Sequence, residues 1–470
     1  MHTSKLIEAL RKLSPKQLSR FGEWLESPVF HKNADNRIFF WYLVKHAPTF
    51  SHPGLTKAEV LRSLVLSKPT DEKLLAYRMN DLLTQLEDYL ATERFHDHLI
   101  DMPLYLLEQY HYLDLPKHYH AVEAGLTKKL RKYPHRNAAF FKKQMVFKRL
   151  QYEQADANQR GYDPNLQDAA DALDVFFVIE KLRYACEMQN LVNMFEVEYR
   201  MPLIAEVVEW SASSQFTEVA AVQIYRRLFQ LLSNLEQTEH FDPVKYLLTA
   251  HGNLFEPGEL KQLYTLLLNF CTRRINRFND QHFWYEYLEI NKLLLEKQLL
   301  LEDGYLPPWR YANLITVGLK TGQVDWTETF LHTYRHMLPE SHSENMYRYN
   351  LAHFYYHQRK LDQAQLELVR VEFNDLLLNV SARSLLIKIY FETRQEELLL
   401  SYLEATRIFL LRNKMLDAQL KLQLKKFVDF TTKLAKVIDR DTVIKLQKKL
   451  PPPKGIMHRD WLMEQMQQYL

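Results

Sequence analysis

Apolar residues recur along this chain at intervals of three and four, the repeat of a helix with one buried face. Leu18, Phe21, Trp24 and Leu25 stand at i, i+3, i+6 and i+7. Ser14 before Pro15 supplies an N-cap with proline at the first helical position, and Pro28 predicts where that helix stops. Leu74, Leu75, Met79, Leu82, Leu83, Leu86 and Leu90 form a longer stripe. Asp163-Pro164 and Asp242-Pro243 predict two more helix starts. Long stretches of strand-type alternation are absent. The pattern predicts about 20 helices joined by short turns, an all-α repeat array or bundle.

The pattern also changes along the chain. Residues 1–100 read as a compact N-terminal helical domain. Residues 101–300 read as paired long helices, broken at Pro116, Pro134, Pro164, Pro202, Pro243 and Pro257. Residues 301–450 carry the clearest internal repetition. Pro451-Pro452-Pro453 then forces a change of direction, and residues 451–470 end in a short amphipathic helix. On it Trp461, Leu462, Met466, Tyr469 and Leu470 cluster on one side, with Glu464, Gln465, Gln467 and Gln468 mostly on the other. A helix of about three turns is marginal alone in water, so its apolar side needs a surface. The expected surface is the open end of the repeat array.

The repetition can be written out. Leu351-Ala352-His353-Phe354-Tyr355-Tyr356-His357-Gln358-Arg359-Lys360-Leu361-Asp362-Gln363-Ala364 aligns without a gap with the segment 386–399, and with 314–327 on the other side. Leu351, Ala352, Tyr355, Leu361 and Ala364 hold the spacing of the packing positions of the tetratricopeptide repeat, which this region resembles. Gly318 and Gly322 match small positions in the preceding unit, whereas Leu399 replaces the expected small residue in the third. The resemblance covers about 100 residues and implies an α-solenoid, with a concave groove lined by the first helix of each pair. It implies that Trp309, Thr316, Leu319 and Lys320, then Met346, Tyr349, His353, Tyr356 and His357, then Ser381, Ser384, Lys388, Phe391 and Glu392 face that groove. Tyr349 and His353 stand where the carboxylate-clamp subtype has Lys and Asn, so a chaperone tail is not the expected ligand. The segments 176–187 and 381–390 are also similar to an uncharacterised all-helical family of Bacteroidota, which implies a bacterial cytoplasmic protein and no particular activity.

Composition narrows the chemistry. Only 10 of the 470 residues are glycine, against an average use of about 7%. Phosphate-cradling loops need glycine, and the one close pair, Gly318 and Gly322, is not followed by Lys. The formal charge of +3 is too weak for a nucleic-acid protein on global charge alone. Cys186 and Cys271 lie far apart in apolar-periodic segments, which predicts free, buried thiols and a reducing cytoplasm. The stretch Met1–Glu8 lacks an uninterrupted apolar core, so no signal peptide is expected.

Three constellations are candidates for chemistry. His332/His336 and His353/His357 are i, i+4 pairs of the kind that can share a metal, but no Glu follows either first His, and no metal or cofactor is expected. The i, i+2 pairs His96/His98 and His118/His120 diverge on a helix and are weaker. No G-x-S-x-G elbow is present. Lys128, Lys129, Arg131, Lys132, Lys142 and Lys143 form a basic stretch interleaved with Tyr133, Phe140, Phe141 and Phe147, as stacking platforms for single-stranded nucleic acid would be. Residues 407–450 hold 12 Lys+Arg against 4 Asp, a charge of +8. The third constellation is the groove set Trp309, Lys320, Tyr349, His353, Tyr356, His357, Lys388 and Phe391, whose residue types are those of protein–protein hot spots. The reading that follows is a non-enzymatic helical-repeat adaptor that binds a protein or peptide through this groove. The alternative is a nucleic-acid-binding repeat protein that uses the basic helices. No membrane association is expected.

Overall fold

The computed structural model describes residues 2–27, 34–63, 71–97, 99–155, 161–195, 197–371, 376–413, 415–437, 439–452 and 455–469, the side chains of 97, 341 and 342 excepted. Met1, Pro28, His98, Lys414, Pro453 and Leu470 lie outside them. The chain is all-helical: the described residues form 23 α-helices and no named strand. Among them no helix is long and apolar enough to cross a membrane. Two compact units divide the chain, Met1–Lys181 and Leu182–Leu470.

The first unit holds α1 (Lys5–Arg11), α2 (Pro15–Leu25), α3 (Ala34–Val44), α4 (Lys57–Ser63), α5 (Glu72–Asp97), α6 (Asp101–Tyr112), α7 (Pro116–Lys132), α8 (Ala138–Gln154) and the start of α9 (Pro164–Met194). Ser14 caps α2 by accepting from the Gln17 amide at 3.3 Å, while the Gln17 side chain accepts from the Ser14 amide at 2.9 Å. That reciprocal box satisfies two donors that the first turn leaves without intrahelical partners. Leu18, Phe21 and Leu25 then enter a core shared with Phe40, Leu82, Leu86 and Tyr89. Arg78 is buried there with Asp35 at 2.7 Å. A second core, from Ile100 to Leu150, joins α6, α7 and α8, and the Tyr119 hydroxyl donates to the Leu150 carbonyl at 2.8 Å.

The second unit continues with α10 (Ile204–Trp210), α11 (Ala220–Ser233), α12 (Phe241–His251), α13 (Pro257–Phe278), α14 (Gln281–Glu296), α15 (Pro308–Lys320), α16 (Val324–Thr333), α17 (Glu340–His357), α18 (Leu361–Val369), α19 (Leu376–Glu392), α20 (Glu396–Arg412), α21 (Ala418–Ala435), α22 (Arg440–Lys448) and α23 (Arg459–Gln467). Consecutive helices pack as pairs from α11/α12 to α19/α20, and α15 packs on α17, α17 on α19 and α19 on α21. The helix expected to open at Asp242-Pro243 starts at Phe241, two residues before the proline, because buried Phe241 anchors the chain and its amide already bonds the Thr238 carbonyl. Pro243 is tolerated as the third residue, where an amide has no intrahelical acceptor.

The three aligned segments close with one turn. Gly322, Arg359 and Arg394, equivalent in the alignment, adopt positive φ of 71°, 60° and 56°. The next amide bonds back across each turn: Gln323 to Gly318, Lys360 to Tyr355 and Gln395 to Tyr390, at 2.9, 3.0 and 3.0 Å. This is the six-to-one bond that ends a helix on a left-handed residue. Only the first of the three segments uses glycine there; the other two hold arginine in a conformation that glycine adopts more cheaply. Ala352 and Ala364 are fully buried within this stack. Gly318 faces Thr327 so closely that a Cβ would stand 2.2 Å from its Oγ1.

Candidate functional site

Helical spacing puts Tyr349, His353 and Tyr356 on one face of α17, and Ser381, Ser384 and Lys388 on one face of α19. α17 and α19 pack together, and the segment leading into α23 closes over them. His458, with φ 50° and ψ 39°, turns the chain into α23 and sets its Nε2 2.9 Å from the Ser384 hydroxyl. That hydroxyl donates to the Ser381 carbonyl at 2.9 Å, so Nε2 carries the proton and donates to it. One turn on, the Trp461 indole N–H donates to Glu392 Oε1 at 2.7 Å. The Trp461 ring meets Phe391 and Phe427 edge-on, at centroid distances of 5.4 and 5.8 Å. Glu392 also accepts from the Tyr356 hydroxyl and from Arg359, the latter at 2.7 Å. Trp461, Leu462 and Met466 are buried.

Two expectations for this helix are corrected. Gln465 is buried where a polar side was expected, and Tyr469 is 45% exposed where an apolar side was expected. A helix lying between α21 and α22 is covered on more than one side, so Gln465 is enclosed, while Tyr469 falls past the last turn.

Five of the eight groove candidates, Tyr349, His353, Tyr356, Lys388 and Phe391, are thus brought together beneath the chain's own C-terminal segment. Burial and the nearby Lys388 push the His353 imidazole down to about 4. The same causes push His458 down to about 3. Burial pushes the Lys388 ammonium down to about 8, against the pull of Glu392 and Glu464. Burial, with Glu392 adding to it, raises the Tyr356 hydroxyl. His357 is exposed at the end of α17. Sequence reasoning missed His458, because its partner Ser384 is 74 residues away and no local spacing announces it.

Trp309 and Lys320 do not line this cluster, although the Lys320 charge reaches His353. With Asn313 and Thr316 they make one stripe along α15, at i, i+4, i+7 and i+11. Leu319, expected beside them, is instead a core residue at 2% exposure, since it sits on the opposite side of that helix. The stripe borders a mostly apolar pocket of about 180 Å³ between α13, α14 and α15, lined by Ile275, Trp284, Tyr287, Thr316 and Val317 among others. Lys320 Nζ stands 4.4 Å above the Trp284 ring at its rim. Trp309 is 55% exposed.

α16 stops at Thr333 and the chain tightens to a 3-10 turn through Met337 ahead of Pro339, so His332 and His336 do not share a helix. His332 Nδ1 is 3.0 Å from the Tyr347 hydroxyl. Among the described residues no three of His, Cys, Asp and Glu come together as a metal site. Cys186 and Cys271 are buried, and burial raises both thiols well above their ordinary value, away from nucleophilic use.

In the basic stretch, Phe140 and Phe147 belong to the core of α6–α8 and Tyr133 and Phe141 pack against it, so they are not free platforms. Lys143 pairs with Asp101 at 2.9 Å. Lys128, Lys129, Arg131, Lys132 and Lys142 are exposed. Labelled single-stranded RNA or DNA at moderate salt should therefore show no specific rise in anisotropy. Salt-sensitive binding lost on changing Lys128, Lys129, Lys142 and Lys143 to Glu would reverse that expectation. In the second basic stretch Arg407 pairs with Glu404 and Asp429, at 3.1 and 3.2 Å. Comparison of the chain with family models, curated proteins and solved structures found no match.

Proposed function

We propose that this chain is a non-enzymatic helical-repeat adaptor of tetratricopeptide-like build that docks a protein partner on the face of α15. What supports the repeat reading is the common turn at Gly322, Arg359 and Arg394 and the successive packing of α15, α17, α19 and α21. What supports the docking reading is the apolar pocket beside Trp284 and Tyr287, open at the surface with Lys320 at its rim. Aromatic walls with one cation suit an apolar or aromatic anchor on a partner that carries an acidic neighbour. The C-terminal groove residues take a different part, because residues of their own chain sit on them.

The test is affinity purification from the native cell followed by mass spectrometry, with wild type beside Thr316→Trp, which fills the pocket. A partner held at high salt by wild type and lost from Thr316→Trp is the expected result. A partner held equally by both would remove the pocket from the reading. Nucleic acid released by salt would favour the basic helices instead.

A further inference from the structure

Between α17, α19 and His458 lies a chamber of about 60 Å³, room for several water molecules. Lys388, His353 and His458 line it together with the hydroxyl-bearing Ser381, Ser384 and Tyr349, and among the described residues no carboxylate does. Three basic nitrogens side by side disfavour one another's charged forms unless something offsets the repulsion. Among the described residues, the charged groups around the chamber can be placed. α15 offers Lys320 and α17 offers His357 beside His353, and both weigh against protonating it. α19 offers Glu392, whose two oxygens are held by Tyr356, Trp461 and Arg359. The tail offers Glu464, half-exposed and drawn to Arg359 at 3.7 Å. Lys388 feels Glu392 and Glu464 from outside the chamber, and the ring faces of Tyr356 and Trp461 stand 5.6 and 5.9 Å from its ammonium.

We propose that this chamber is a binding site for a small oxyanion of the phosphate or sulfate class, held by the Lys388 ammonium, the Ser381 and Tyr349 hydroxyls and the His353 imidazole, with His458 as its wall. A cation is disfavoured, because an ammonium shares the space. An oxyanion accepts from the donors not already committed to protein partners and brings negative charge into the chamber itself. Its arrival raises the proton affinity of both imidazoles, so binding strengthens as pH falls. The ion enters the closed chain with His458 in place, whether or not the α15 face recruits a partner.

Calorimetric titration of the full chain with sodium sulfate tests this, since sulfate keeps its charge over the range used and any pH dependence belongs to the protein. Saturable binding at pH 6.5 is expected, weaker by about tenfold at pH 9, where Lys388 at about 8 has largely lost its proton. Lys388→Met should weaken binding by about tenfold or more. Ser381→Asp, which places a carboxylate in the chamber, should abolish sulfate binding while the melting temperature in chloride holds or rises; this arm still decides should Lys388→Met fold poorly. Lys297→Gln, on an exposed site elsewhere in the unit, should change nothing. Inorganic phosphate and a phosphoserine peptide separate the sources: phosphate binding alone marks a free ion, and peptide binding alone marks a group presented by another chain. Either supports the chamber if Ser381→Asp removes it. Absence of saturable binding by all three ligands, or binding that survives both Lys388→Met and Ser381→Asp, overturns it.

Discussion

Trp461→Ala should destabilise the second unit by about 3 kcal/mol or more, a fall of about 5 °C in melting temperature. The residue is 7% exposed, its ring fills the space between Phe391 and Phe427, and its N–H satisfies Glu392. Truncation leaves a void and also takes one donor from a carboxylate that the tail helps to cover. Removing residues 451–470 should do more, because Leu462 and Met466 leave with it and bare the faces of α21 and α22. The truncated chain should melt several degrees lower or aggregate. If its melting curve is unchanged, the tail is a loosely tethered docking motif and its packed position carries no energy. Acid should weaken the same contact. His353 and His458 have folded values below the ordinary 6.5, so their contribution is complete above pH 6.5 and declines as pH falls from there toward about 4 and 3. Circular dichroism melts at pH 7.5 and pH 5 check the direction, and sulfate should offset the acid effect.

Ala364→Leu should cost on the order of 1–3 kcal/mol by overpacking. Ala364 sits in α18 against α17 at 0% exposure, with Ala352 equally buried in α17. Three added carbons cannot turn to solvent from a fully buried position, and the pair is joined by the tight turn at Arg359. Urea melts of the variant and wild type measure the change; identical midpoints would show that the two helices can slide apart, and that the register aligning 314–327, 351–364 and 386–399 does not describe their packing.

How much of this was legible in the sequence follows from range. Local physics determined the helices. Ser14 with Gln17, Pro116, Pro164 and Pro257 mark starts because they act on backbone groups within one turn. The repeated turn was legible as spacing, since a helix–turn–helix unit is nearly all short-range contact, though nothing local said that Arg359 and Arg394 would take the conformation Gly322 takes.

The candidate sites were legible only in part. Residue type and periodicity placed Tyr349, His353, Tyr356 and Lys388 on related faces, yet whether those faces are open depends on what lies across from them. That was decided by contacts with sequence separations of 69 and 74 residues, Trp461 to Glu392 and His458 to Ser384. The basic stretch shows the same division. Lysines and phenylalanines interleave at 128–149 in the sequence, and only the packing of α6 against α7 and α8 sends Phe140 and Phe147 inward while Lys128 and Lys142 stay in solvent. The sequence alone therefore determined which segments are helices and which faces of them are apolar, because both are set within a turn or two of the chain. Which apolar face meets solvent, and which nitrogens share a chamber, was left to the tertiary structure, because burial is a property of neighbours that the local sequence does not contain.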